Sequence, residues 1–280
     1  MPAHRAERAA VAALLARIGR PAGAIEPVAG TRNRLWRAGD WVVRLARTAH
    51  PFADPATEAV NMAAAAALGV APEVLHADGK TGAFVIRFAP GRPLDTLDGG
   101  ALMRIGRTLA KLHGGAGFAG ALDPAEAAAR YAEALGDDDS RALARQGAAL
   151  WAALAPGRRI APCHNDPVPA NVIDDGTRAL LVDWEFSGLN DPAWDLAYHA
   201  VEGGLDEARL DRLLEAYGAD QAFAARVRAS RAMVLLVNGL WCRLEGRGAA
   251  AVERIARFRA MVDSDAIRRQ SRAAIAGGAR

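Results

Sequence analysis

The sequence predicts an α+β chain of two unequal lobes, a small antiparallel-sheet lobe with one helix followed by a larger helical lobe. Three observations carry this. Short apolar runs separated by glycine-bearing breaks fill residues 24–47 and 72–90. Helical periodicity takes over from about Asp98. One Asp-Gly hairpin signal, Asp175-Gly176 between two apolar runs, interrupts that helical stretch. The 280 residues are 51% hydrophobic and 24% charged, enough for a sizeable core in one large domain or two lobes.

The elements follow in order. In "MPAHRAERAAVAALLARIGR", Val11, Leu14, Leu15 and Ile18 recur at helical spacing with charges around them. That reads as an amphipathic helix rather than a signal peptide. "AIEPVAG", "NRLWRA" and "WVVRLAR" read as short strands. Asp54-Pro55 then caps and opens the helix "DPATEAVNMAAAAAL". "PEVLHAD", a Gly-Lys-Thr-Gly turn and "GAFVIRFAP" form another hairpin ending near Pro90. "FAPGRP" at 88–93 is the connector, so the β-rich lobe is 1–90 and the helical lobe 91–280. In "GGALMRIGRTLAKLHGG", Leu102, Ile105, Leu109 and Leu112 share one side of a helix closed by glycines. "DPAEAAARYAEALG" and "RALARQGAALWAALAPG" are further helices, and the chain from about Asp191 is helical.

Composition excludes several classes. No stretch approaches the roughly 18 consecutive apolar residues of a membrane span. Two distant cysteines, Cys163 and Cys242, make no disulfide framework and point to a reducing cytoplasm. Cys163 lacks any accompanying oxyanion signature, which disfavours a thiol nucleophile. Net charge is +3 with a pI of about 9.2. Lys80 and Lys111 are the only lysines, and the arginines are spread along the chain without a basic tail. Neither a nucleic-acid nor a membrane partner is expected.

"CHNDPVPANVI" gathers His164, Asp166 and Asn171 on a loop whose prolines forbid a regular helix. "NVID", the Asp-Gly turn and "RALLVD" then form a hairpin. Asn171, at the start of one strand, and Asp183, at the end of the other, fall at the same hairpin end, with Asp166 on the loop leading in. Oxygen ligands alone suit a hard ion such as magnesium beside substrate phosphates. Zinc spacing is absent. A second carboxylate there can orient a hydroxyl and accept its proton, as phosphoryl transfer requires. Turn capping is the plainer reading of Asp166 and Asn171 taken singly.

The pattern His-x-Asp, four residues, Asn, then a strand and Asp, in "HNDPVPANVI…LVDWEF", resembles the protein-kinase-like small-molecule kinases. These include the choline/ethanolamine kinases and the aminoglycoside phosphotransferases. The resemblance covers nearly the whole chain and implies the protein-kinase-like two-lobed fold. By it, Asp166 would be the catalytic base, Asn171 and Asp183 the Mg2+ ligands, and His164 a prop for the loop. "GTRNRLWRAGDWVVRLAR" resembles the family's phosphate-covering hairpin and its cation-bearing strand. Gly30, Thr31 and Asn33 would face ATP phosphate, Arg44 would supply the cation and Glu58 its orienting partner. Arg87, Phe88 and Ala89, ahead of Pro90, would read the adenine through their backbone.

"DWEFSGLNDPAWDLAYHAVEGG" is rich in acids and aromatics, and positions 195, 198, 199 and 202 share a helical face. Aromatic faces with balancing carboxylates hold an ammonium. Glu185, Trp194, Tyr198, Glu202 and Trp241 would serve, while Asp195 would anchor the catalytic loop. The Asp195, His199, Glu202 pattern and Gly239-Leu240-Trp241 are similar to choline/ethanolamine kinase segments. Val168 and Asn238 depart from that pattern, and Asn238 stands where a second box tryptophan is expected. The expectation is an ATP- and Mg2+-dependent kinase of a small cationic alcohol, choline or ethanolamine first. Aminoglycoside, thiamine and homoserine kinases are the enzyme alternatives. A non-catalytic nucleotide-binding module on the same fold is the remaining one.

Overall fold

Strand alternation decides which way the small lobe faces. The computed structural model describes residues 2–28, 35–45 and 53–263. Gly30, Thr31 and Asn33 lie outside them. Strands β1 (Ile25–Val28), β2 (Leu35–Ala38), β3 (Trp41–Arg44), β4 (Val74–Ala77) and β5 (Phe84–Arg87) form an antiparallel five-stranded sheet in the order β1-β2-β3-β5-β4. Trp36, Ala38, Trp41, Val43 and Val85 point to one face and bury against Val11, Leu14 and Leu15 of α1 (Pro2–Arg17). That is the amphipathic amino-terminal helix read from the sequence. The other face carries Phe84 and Ile86, which join Met62 and Ala65 of α2 (Pro55–Ala67) in the main core. Arg44 has the parity of that second face and pairs in register with Phe84. The start of α2 follows its sequence signals: Asp54 accepts from the amides of Ala56 and Thr57, and Pro55 opens the first turn.

The second lobe is helical: α3 (Gly99–His113), α4 (Pro124–Leu135), α5 (Asp138–Ala153), α6 (Pro192–Glu202), α7 (Glu207–Tyr217), α8 (Gln221–Leu244) and α9 (Gly248–Asp263). Leu102, Ile105, Leu109 and Leu112 of α3 are fully buried, as their spacing predicts. Two small β elements escape periodicity because their strands are only two or three residues long. β6 (Arg92–Pro93), β8 (Val172–Asp174) and β9 (Ala179–Leu181) form one; β7 (Ala161–Cys163) and β10 (Gly188–Asn190) form the other.

The connector therefore does more than link. Arg92 and Pro93 pair with Asp174 and Ile173, tying the chain to the β8–β9 hairpin immediately after the sheet ends. Gly91 makes this possible: at φ 122°, any Cβ there would sit 2.5 Å from the carbonyl oxygen of Asp174. Among the described residues, no helix is long and apolar enough to cross a membrane.

Candidate active site

The β8–β9 register pairs Val172 with Leu181 and Asp174 with Ala179. The next step outward joins the Val182 amide to the Asn171 carbonyl at 2.9 Å, so residues 171 and 183 meet at one end, as hairpin arithmetic predicts. The far end is not a two-residue turn. The Asp175 carboxylate accepts from the Thr177 hydroxyl and from the amides of Arg178 and Thr177, and these bonds, the hydroxyl's first, hold its pKa well below the usual carboxylate range.

Asp166, Asn171 and Asp183 line a single cavity of about 590 Å³. Asn171 donates its Nδ2 to the carbonyl oxygen of Asp166 at 3.0 Å and to Asp166 Oδ2 at 3.1 Å. That spends the amide nitrogen and leaves Oδ1 as the atom a cation would take. An oxygen-only pair of this kind fits magnesium, which prefers one or two protein oxygens beside phosphate. Burial, then the neighbouring charge of Asp183, push the Asp166 carboxyl well above its usual value. Asp183 holds φ at 65°, a left-handed conformation unusual away from glycine and common where side chains are aimed for function.

The loop carrying Asp166 is gripped from two sides. Helix α6 presents Asp195 and His199 one turn apart on the same face. Asp195 accepts from the amides of His164 and Asn165, both at 2.8 Å, and from His113 Nε2 at 3.0 Å. His199 donates Nδ1–H to the Pro167 carbonyl at 2.8 Å. From the other side, His164 donates Nε2–H to the Val182 carbonyl at 2.9 Å while its Nδ1 accepts from the Asp166 amide at 3.3 Å. One neutral tautomer thus bridges Asp166 to the residue preceding Asp183. Burial lowers the pKa of both His164 and His199, keeping them neutral.

Asn165, which the sequence reading passed over, sits at φ 68° and is held at every polar atom. Its side chain donates to the Phe186 carbonyl and accepts from Asn190, and its carbonyl accepts from the indole of Trp194. Cys163 is fully buried with its thiol turned to the Asn190 carbonyl at 3.6 Å, and burial pushes its pKa well up, against any nucleophilic role.

On the sheet, Arg44 Nη2 donates to Glu58 Oε2 at 2.6 Å and Nε to the Gly82 carbonyl at 2.8 Å, with both side chains 2% exposed. The Phe84 ring lies 4.3 Å from the guanidinium carbon. Glu58 and Asp183 also line one small cavity, which joins the sheet's ion pair to the hairpin end. Asn61, one turn beyond Glu58, clasps the two lobes: its Nδ2 donates to the carbonyls of Ala119 and Ser187, and its Oδ1 accepts from the Ala119 amide. The adenine reading narrows. The amides of Arg87 and Phe88 already donate to the carbonyls of Glu73 and Asp40, so of the three residues Ala89 must supply any donated N–H.

The acceptor end differs more from expectation. Tyr198, Glu202, Trp241 and Glu185 do line the large cavity. Trp194 lines the same cavity but is 1% exposed, packed edge-on to Trp151 and tilted against Tyr198, so it contributes to the wall from behind Tyr198. Glu202 is not an uncompensated anion. Arg254 Nη2 donates to both its oxygens, at 3.0 and 2.9 Å, and Asn238 Nδ2 donates to Oε1 at 2.9 Å. Asn238 Oδ1 in turn accepts the Tyr198 hydroxyl at 3.1 Å. Sequence offered no signal for Arg254, one of many arginines on amphipathic helices.

An antiparallel sheet bearing a buried ion pair, docked on a helical lobe whose hairpin gathers two acids and an amide, is the build of a small-molecule kinase, and that is the class of this protein. The chain belongs to the phosphotransferase enzyme family, whose profile matches residues 24–230. It is similar in structure to a choline/ethanolamine kinase family protein from Mesorhizobium loti, with 32% identity, a TM-score of 0.82, and coverage of 98% of this chain and 99% of that one. The choline kinase LicA of Streptococcus pneumoniae shares the fold at 21% identity and a TM-score of 0.75, over 94% of this chain and 99% of that one. A 56-residue stretch is 48% identical to protein LicA of Haemophilus influenzae, covering 20% of this chain and 21% of that protein. That match spans only about a fifth of the relative's length.

Proposed function

We propose that this phosphotransferase moves the terminal phosphoryl group of ATP to the hydroxyl of choline, ethanolamine or a closely similar amino alcohol. The observation that carries the reading is the one cavity shared by Asp166, Asn171, Asp183, Tyr198 and Trp241. Asp166 aligns the acceptor hydroxyl and takes its proton. Its raised affinity for a proton, from burial and from Asp183, suits a base facing a weakly acidic alcohol. Asn171 and Asp183 would hold magnesium, which neutralises phosphate charge in this class of transfer. Arg44, oriented by Glu58, faces the phosphates, and Ala89 reads the adenine. His164 and Asp195 keep the base in place. The nucleotide-binding lobe is residues 1–90 and the catalytic and substrate lobe 91–280, a boundary supported by the pairing of Arg92 with the catalytic hairpin.

The pairing of Glu202 with Arg254 favours a single ammonium over an aminoglycoside polycation, because it removes one carboxylate from the pool that would balance several charges. ATP turnover across choline, ethanolamine, thiamine, homoserine and kanamycin tests the reading, with Asp166→Asn as control. Preferred turnover of choline or ethanolamine, abolished in the control, is expected. Preference for kanamycin, or nucleotide binding without transfer to any acceptor, would replace it.

A further inference from the structure

Arg247 occupies the short turn between α8 and α9. Its guanidinium carbon lies 5.2 Å from the centroid of the Trp241 ring. Both residues line the cavity that holds Asp166. The backbone of Arg247 is committed, donating to the Cys242 carbonyl and accepting from the Ala251 amide as the α9 cap, so the turn itself is held. The side chain is exposed and forms no ion pair or hydrogen bond with any described residue. Its contact with the Trp241 ring is the cation–π contact it makes among them.

Arg254, by contrast, is locked to Glu202 through both carboxylate oxygens. The cavity thus holds two arginines in different states, one neutralising a carboxylate and one resting on an aromatic face. Both Arg247 and the Trp241 ring line the cavity, and an acceptor's ammonium would seek that ring, since a cation gains most from an indole.

We propose that Arg247 is a resident cation on Trp241, which an alkylammonium acceptor must displace to enter, making Arg247 a specificity-determining residue. The inference rests on the amino-alcohol reading. The exposed guanidinium gives up little on leaving, because water solvates it and no hydrogen bond is lost. A desolvated methylated ammonium gains more from the same ring. Weak or uncharged competitors lack that gain and leave Arg247 in place, so the residue filters acceptors by charge and hydration.

The test uses tetramethylammonium chloride as probe, titrated against the full chain and read by tryptophan fluorescence, with sodium chloride at matched ionic strength. Arg247→Ala and Arg247→Gln are expected to bind the probe roughly three- to fivefold tighter than the parent, the effect of removing one exposed cation–π competitor. Arg247→Lys should stay near the parent. In a Trp241→Leu background, Arg247→Ala should make no difference. Unchanged or weaker binding in both neutral variants, an equal gain in the Trp241→Leu background, or no response in the parent and both neutral variants would each overturn the proposal. Turnover of amino alcohols by the parent is measured separately. Its failure sinks the amino-alcohol reading, while the displacement result stands or falls by the titration.

Discussion

Two arginine–carboxylate pairs flank the site, and they are built differently. Arg44–Glu58 on the sheet is closed to water, each side chain 2% exposed, with the guanidinium also tied to a backbone carbonyl. Arg254–Glu202 in the acceptor cavity is 20% and 18% exposed and belongs to a chain through Asn238 to Tyr198. A buried pair cannot be halved cheaply, because the survivor is a charge without solvent. A pair left about a fifth exposed is halved at lower cost, because water reaches the surviving charge. The pair on the sheet is therefore rigid and the pair in the cavity adjustable, which is the contrast that the proposed nucleotide and acceptor ends would need.

The sharpest challenge to that contrast is at the base between the two pairs. Asp166→Asn should lower kcat about 10²- to 10⁴-fold with little change in KM for ATP or acceptor. A loss confined to KM would mean the carboxylate binds rather than accepts the proton. Next in size, Glu58→Ala should cost about 3–5 kcal/mol in urea unfolding, since it strands Arg44. If it costs no more than Glu202→Ala, the rigid–adjustable distinction collapses. Asn61→Ala should cost about 1–3 kcal/mol, because buried groups at Ala119 and Ser187 lose their partner. Glu202→Gln should cost no more than about 1 kcal/mol of stability. Its effect should fall on KM for the acceptor and leave KM for ATP where it was.

The smallest effect is one of pH, measured without nucleotide or metal. The folded Asp166 carboxyl titrates above its unfolded value. Its favourable share of stability is therefore present below the unfolded pKa and lost as pH rises through the folded one. Asp166→Asn should accordingly be more stable than the parent above that folded value. The two should converge as pH falls below the ordinary carboxylate range. A constant gap at all pH values would deny that burial strains the charge.

Legibility in the sequence followed the same division. Asn171 and Asp183 could be placed together because a hairpin converts sequence spacing into position. Asp195 and His199 could be placed on one face because a helix does the same over four residues. Arg44 and Glu58 needed only strand parity, a capped helix and a family likeness. Arg254 meets Glu202 across 52 residues, and Asn61 meets Ser187 across 126. Both stand in amphipathic helices where nothing local marks them. Trp194 is legible as a cavity residue because aromatics beside acids suggest one, and it does line the cavity. Its near-complete burial against Trp151 is a contact across 43 residues that composition does not encode.

By itself the sequence determined the two-lobed α+β build, the sheet and its capped helix, and the loop and hairpin that bring Asp166, Asn171 and Asp183 together. These depend on periodicity, turn chemistry and short-range geometry, all of which are local. Only the tertiary structure decided which charges were already answered: that Glu202 belongs to Arg254, that Asn61 joins the lobes, and that Arg247 rests on Trp241. An electrostatic partner is chosen by distance and burial in space, and spacing along the chain carries no record of either.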